Sequence, residues 1–195
     1  MVSPHPSQIT AWEEALHQIR NESEALVRNL TPAQFNWRPA SDKWSVGECF
    51  DHLAIATGLM LSKVRPVIDR GSVEGIMGTP PFRYGMMGGW FVRMMETPPR
   101  PGKRPMPSPK NFIPPAGMPK AEVMTRYNDV LANLRLALER SHGLALDKLR
   151  ARSAGQGGAW LKFNLAAWFA ATIAHLRRHL AQARRVTETA GFPGR

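Results

Sequence analysis

The chain of 195 residues holds six histidines, and two of them, His175 and His179, stand four residues apart. They fall in the stretch Leu161–Ala190, which contains neither proline nor glycine. In a helix this spacing puts both imidazoles on one side, one turn apart. Two such nitrogens are a grip that a helix can offer a divalent metal ion. They are only half of a site, so the elements around them have to supply the rest.

Advancing about 100° per residue from His175 at 0°, His179 lies at about 40°, Trp168 and Val186 at about 20° and Leu176 at about 100°. Arg177, Arg178, Arg184 and Arg185 lie between about 180° and 300°, on the face away from that stripe. The pattern predicts a helix with both histidines turned inward and the four arginines in solvent. A buried imidazole is costly unless something satisfies it.

A third inward donor comes from another helix. Ser45-Val46-Gly47-Glu48 has the form of a capping box, in which serine and glutamate satisfy each other's backbone N–H groups. It predicts a helix from Ser45 to about Arg70, bent near Pro66, with Trp44 as a hydrophobic staple. His52 sits at the edge of the stripe formed by Phe50, Leu53, Met60 and Val64. His52, His175 and His179 together would supply three neutral nitrogen donors and leave positions open for water or substrate, the arrangement of a catalytic metal site. The competing reading is three hydrogen-bonded histidines at the edge of a core. Glu48 and Asp51 flank His52, and cap and surface roles account for them. Cys49 reads as a buried, inert thiol, His17 as a surface residue, and His142 as a partner for a helix C-terminus.

The remaining chain predicts the frame. Trp12, Leu16, Ile19 and Leu26 form a helical stripe between Ser7 and Asn29. Leu30-Thr31-Pro32 ends it, and residues 31–44 read as a connection whose Phe35, Trp37 and Trp44 cover the core, with pocket-lining as the alternative. A third helix opens at Pro119 and stops at Ser141-His142-Gly143. Residues 144–160, closing with Gly155-Gln156-Gly157-Gly158, read as a flexible joint with one helical turn. Four amphipathic segments imply an all-α four-helix bundle, a single domain over residues 1–195 with a Pro-rich irregular excursion at about 79–119. Eleven of the seventeen prolines lie between Pro80 and Pro119, with six Lys or Arg and one carboxylate, Glu96. A short helix is expected near Met87–Met95. The extended remainder is either a lid over a pocket or a surface excursion.

Composition narrows the function classes. The apolar share of 43% is that of a globular protein. No run approaches the length of a membrane span, and Met1-Val2-Ser3-Pro4-His5-Pro6 lacks the form of a secretory signal. A lone cysteine suits a reducing cytoplasm. The net charge of +11 raises nucleic acid as a partner. The charge is scattered, however, and no phosphate loop, zinc finger or RNA-binding signature accompanies it. A generally arginine-rich surface is the better reading of that charge, and Met86–Met95 is a candidate homodimer contact.

The motifs Leu30-Thr31-Pro32, Trp37-Arg38-Pro39, Lys43-Trp44-Ser45-Val46-Gly47-Glu48 with Asp51-His52-Leu53, and His175-Leu176-Arg177-Arg178-His179-Leu180-Ala181-Gln182 resemble the DinB-like (DinB/YfiT-like) family of four-helix-bundle metalloenzymes. The resemblance covers nearly all of the chain outside the Pro-rich segment. It implies a divalent metal (zinc, nickel or iron) held by His52, His175 and His179, with Gln182 beside them as a supporting or pocket residue. The activities it implies are thiol transfer, using a low-molecular-weight thiol, or hydrolysis of a small molecule. The alternative is a non-catalytic metal- or ligand-binding, stress-associated interaction module. No further general base stands out.

Overall fold

The computed structural model describes residues 7–97, 108, 110–154 and 161–194. Helix α1 spans Gln8–Val27, α2 Pro32–Asn36, α3 Val46–Val73, α4 Gly85–Glu96, α5 Lys120–Glu139 and α6 Leu165–Glu188. A 3-10 turn covers Lys110–Phe112, and the strands β1 (Arg150–Arg152) and β2 (Lys162–Asn164) pair antiparallel. Helices α1, α5, α3 and α6 pack in that cyclic order as the four-helix bundle, and α4 lies outside against α6. Among the described residues no helix is long and apolar enough to cross a membrane.

The capping box that starts α3 forms as expected. Ser45 Oγ accepts from Glu48 N at 3.1 Å, and Glu48 Oε2 accepts from Ser45 N at 2.9 Å. That box fixes where α3 begins, and so fixes His52 two turns into it. The bundle interior closes around Tyr127 of α5, which packs edge-on to Phe50 of α3 at 4.9 Å. Ser23 of α1 donates its hydroxyl proton to Ile19 O at 2.7 Å. The Tyr127 hydroxyl must therefore donate to Ser23 Oγ, 3.0 Å away. Burial pushes the phenol up to about 12, against the opposing hydrogen bond to Ser23, so it keeps this proton.

Several expectations are corrected. Residues 31–44 hold α2, started by a second capping box between Thr31 and Gln34 with proline in the first turn. The joint at 144–160 contains β1, and Lys162–Asn164 belongs to β2 instead of the last helix. Three-residue strands are too short to show a period of two. Asn164 makes the boundary, its side chain accepting from Ala167 N at 2.9 Å to cap α6. The expected glycine run Gly155–Gly158, and Arg100, Lys103 and Arg104 of the basic segment, lie outside the described residues. Helix α4 crosses α6 at Gly88, where an added Cβ would stand 2.8 Å from Ala167 Cβ. Its outer face leaves Met86 91% and Trp90 61% exposed.

Candidate metal centre

Helices α3 and α6 bring the three histidines together. Each of His52, His175 and His179 offers one nitrogen, and these atoms all lie within 4.8 Å of one another. The ring centroids stand 5.0 Å apart for His52–His175 and 4.6 Å for each of the other two pairs. His52 is 2% exposed and the other two are largely buried. The inward orientation expected of the pair in α6 is therefore met.

Hydrogen bonding sets the tautomer of His52. Its Nδ1 lies 2.7 Å from the Phe112 carbonyl oxygen. A carbonyl only accepts, so Nδ1 carries the proton and Nε2 presents its lone pair. Nε2 faces Nε2 of His175 at 3.1 Å. Two donors held tetrahedrally at about 2.1 Å from one ion would be about 3.4 Å apart, so this separation fits a shared ion. Orientation of a ligating imidazole through its other nitrogen is the usual support for such a site. His179 Nδ1 is buried and has no hydrogen-bond partner among the described residues. An orphaned polar atom beside two converging imidazoles, all neutral nitrogen donors, suits a divalent transition metal.

The surroundings keep these rings neutral. Burial lowers His175 to about 3, helped by His52 and the charge of Arg178. Burial lowers His179 to about 2, with His175, His52 and Arg178 adding to the effect and Gln182 opposing it. Burial likewise lowers His52, against the Phe112 carbonyl and the Asp51 charge. Neutral imidazole is the form that binds metal. All three rings are held below the roughly 6.5 of an unfolded histidine, so in metal-free protein the unfolded chain binds the extra protons as pH falls. The folding stability these groups permit is whole above pH ~6.5 and drains away below it, each ring contributing at most about 1.4 kcal/mol per pH unit. Urea unfolding of metal-free protein at pH 7.5 and 5.5 should show the loss, with a shallower slope in His175→Gln. Equal slopes in the two proteins would contradict this account of the burial.

Aromatic side chains wall the centre. The Trp44 ring lies 4.8 Å from His52 and 5.8 Å from His179, and Phe112 stands 6.5 Å from His52. Trp44, expected as a staple and core cover, thus lines the site. Phe112 was not foreseen at all, because its contribution is a backbone carbonyl, which every residue type carries. That carbonyl gives the Pro-rich excursion a place in the site, through its 3-10 turn.

Each flanking carboxylate pairs with an arginine, although Asp51 Oδ2 is buried without a hydrogen-bond partner among the described residues. Burial alone would push Glu48 up, but its hydrogen bonds with Arg38 and Ser45 and the Arg38 charge outweigh it and hold the carboxyl low. Arg38 Nε donates to Glu48 Oε2 at 2.8 Å. Asp51, expected at the surface, is 2% exposed and accepts from Arg126 Nη2 at 2.8 Å. It lines a cavity of about 250 Å³ with Ala54, Ile55, Pro115 and Arg126. Cys49 is buried as expected. His17 is exposed, and His142 pairs with Glu13 at 3.0 Å.

No curated protein and no solved structure matches the chain. The sequence model of the DinB superfamily matches residues 15–183, a span that includes all three histidines. With most of its length matched, the chain belongs to the DinB superfamily.

Proposed function

We propose that the chain is a metal-dependent enzyme acting on a small molecule, by thiol transfer or by hydrolysis, with His52, His175 and His179 as the ligands. The observation that carries this reading is the locked tautomer of His52, whose Nε2 lone pair meets His175 Nε2 at 3.1 Å with His179 alongside. When bound, a divalent zinc, nickel or iron ion supplies the charge that draws a thiol or a water toward its nucleophilic form at neutral pH. The protein's own part is to present three neutral imidazoles, to fix the His52 ring through Phe112 and to screen the centre with Trp44. Gln182, three residues after His179 in α6, is the side chain assigned to support that ring. A low-molecular-weight thiol is the co-substrate in the transfer reading. The buried lone Cys49 suits a reducing, cytoplasmic setting.

One observation favours a second reading, a non-catalytic metal-binding module. Glu48 and Asp51, the carboxylates nearest in sequence to His52, are each ion-paired, with Arg38 and Arg126, and neither makes a hydrogen bond to a histidine of the centre. Turnover separates the two. Metal-loaded protein is assayed with a panel of thiols against an alkylating electrophile, and with ester and amide substrates. Turnover that disappears in His175→Ala supports the enzyme. Stoichiometric metal with no turnover across both panels supports the binding module.

A further inference from the structure

A helix that is apolar all round is normally buried, because each face needs something to cover it. Helix α4 is apolar on two faces, yet it lies outside the bundle. Its inner face is fixed. Val92 is buried, Gly88 stands close against Ala167, and Phe91 stacks on Phe163 at 4.5 Å. Arg178 of α6, expected in solvent, is half-buried and donates from Nη1 to the Met94 carbonyl oxygen at 3.2 Å, which ties down the last turn. The outer face is left uncovered. Met86 is 91% exposed, Met87 47% and Trp90 61%, with the indole one turn after the two methionines. Single hydrophobic residues scattered over a surface are ordinary, but three on one side of a short helix form a patch that a partner covers.

Charge selects that partner. Arg93 continues the strip two turns after Met86, and Arg83 stands just before the helix; both are exposed. Neither pairs with a carboxylate among the described residues. Glu96 is the one carboxylate between Pro80 and Pro119, against six Lys or Arg. A second copy of the chain is therefore a poor cover, because in a two-fold contact the patch meets itself and arginine faces arginine. Residues 98–107 carry Arg100, Lys103 and Arg104 and no acid, so they do not complement the face either. A tryptophan and two methionines bordered by cations match the boundary of an anionic bilayer, where the apolar groups enter the acyl edge and guanidinium groups meet lipid phosphates. The flexible thioethers suit acyl chains better than stacked bases, which call for planar partners.

We propose that the outer face of α4 docks the protein on a bilayer rich in anionic phospholipid, with Met86, Met87 and Trp90 entering the acyl boundary and Arg83 and Arg93 meeting the headgroups. The helix lies in the interface and does not span it, since 12 residues are too few to cross. The docking makes no use of the metal centre, so the two readings fail separately.

Full-length wild type is titrated with vesicles of phosphatidylcholine alone and of phosphatidylcholine with about one third phosphatidylglycerol, and bound protein is read by co-sedimentation. Wild type should bind the anionic vesicles about tenfold or more tightly than the neutral ones, with the preference shrinking as salt is raised. Met86→Ser with Trp90→Ser, which changes no charge, should weaken binding to the anionic vesicles about tenfold. Arg83→Gln with Arg93→Gln should weaken it by about the same factor. Arg20→Gln with Arg135→Gln, the same charge change on α1 and α5, should leave it within about twofold. Circular dichroism checks that each variant keeps its helices. Wild type that binds neither vesicle, or both equally, overturns the proposal. Binding that survives in the Met86 and Trp90 double variant overturns it too, as does an equal loss in the Arg20 and Arg135 variant, since net charge alone would then account for it. A concentration-dependent dimer, or binding of a single-stranded oligonucleotide, that is lost in the Met86 and Trp90 variant while vesicles are ignored would overturn lipid in favour of that partner.

Discussion

The His175→Ala protein should unfold at the same urea concentration with and without added divalent metal, whereas wild type should not. A ligand that binds only the folded state stabilises it by about 4 kcal/mol when its free concentration is a thousand times the dissociation constant. In wild type the His52 lone pair and the His175 nitrogen stand 3.1 Å apart with His179 beside them, so the donors are nearly in place before metal arrives. Removing His175 takes away one of three ligands and the nitrogen facing His52. The gain should fall by most of those ~4 kcal/mol. Without metal the variant should lose only about 1–3 kcal/mol at pH 7.5, the cost of leaving the buried His52 Nε2 without its partner, and that loss is the same with and without added metal. Isothermal urea titrations with and without a metal buffer read both numbers.

A second variant should do the opposite. Phe50 is fully buried in α3, two residues before His52, and packs edge-on to Tyr127. Phe50→Ala should destabilise the protein by about 3–5 kcal/mol, from lost transfer free energy and the cavity left behind. That is a large part of the total stability of a typical domain, about 5–15 kcal/mol. Below its unfolding transition the variant should still take up metal, since among the described residues Phe50 makes no ring contact with any of the three histidines. The pair of variants therefore separates folding from the site: one keeps the fold and loses the metal, the other weakens the fold and keeps the metal. Loss of metal from folded Phe50→Ala would mean that the centre depends on core packing more than the geometry implies.

How much of this could be read from residues alone follows from what each feature is made of. The long helices announce themselves through side-chain periodicity, and Ser45 and Glu48 mark a start that the structure keeps to the residue. His52, His175 and His179 were legible because their angular positions placed them with the apolar stripes. Helix α2 was missed because five residues carry no periodic signal, although Thr31, Pro32 and Gln34 hold the pieces of its cap. Asp51 was given a surface role by its polarity, and Arg178 was placed in solvent by its angle on the helix. Tertiary contacts decided otherwise, since Arg126 of α5 reaches Asp51 and the last turn of α4 offers Arg178 a carbonyl. Phe112 lay beyond reach for a different reason. It acts through a carbonyl sixty residues away from His52 in sequence, on a Pro-rich stretch with no pattern to phase it.

The central claim is that α3 and α6 together hold one divalent ion. Its most direct measurement is the metal content of protein purified without a histidine tag, by elemental analysis of wild type and of the His52→Ala, His175→Ala and His179→Ala variants, each checked for helical content. The account predicts close to one ion per chain in wild type and a loss of most of it in each folded variant. Folded wild type that takes up no divalent metal even when it is supplied in excess, or variants that retain as much as wild type, would contradict it.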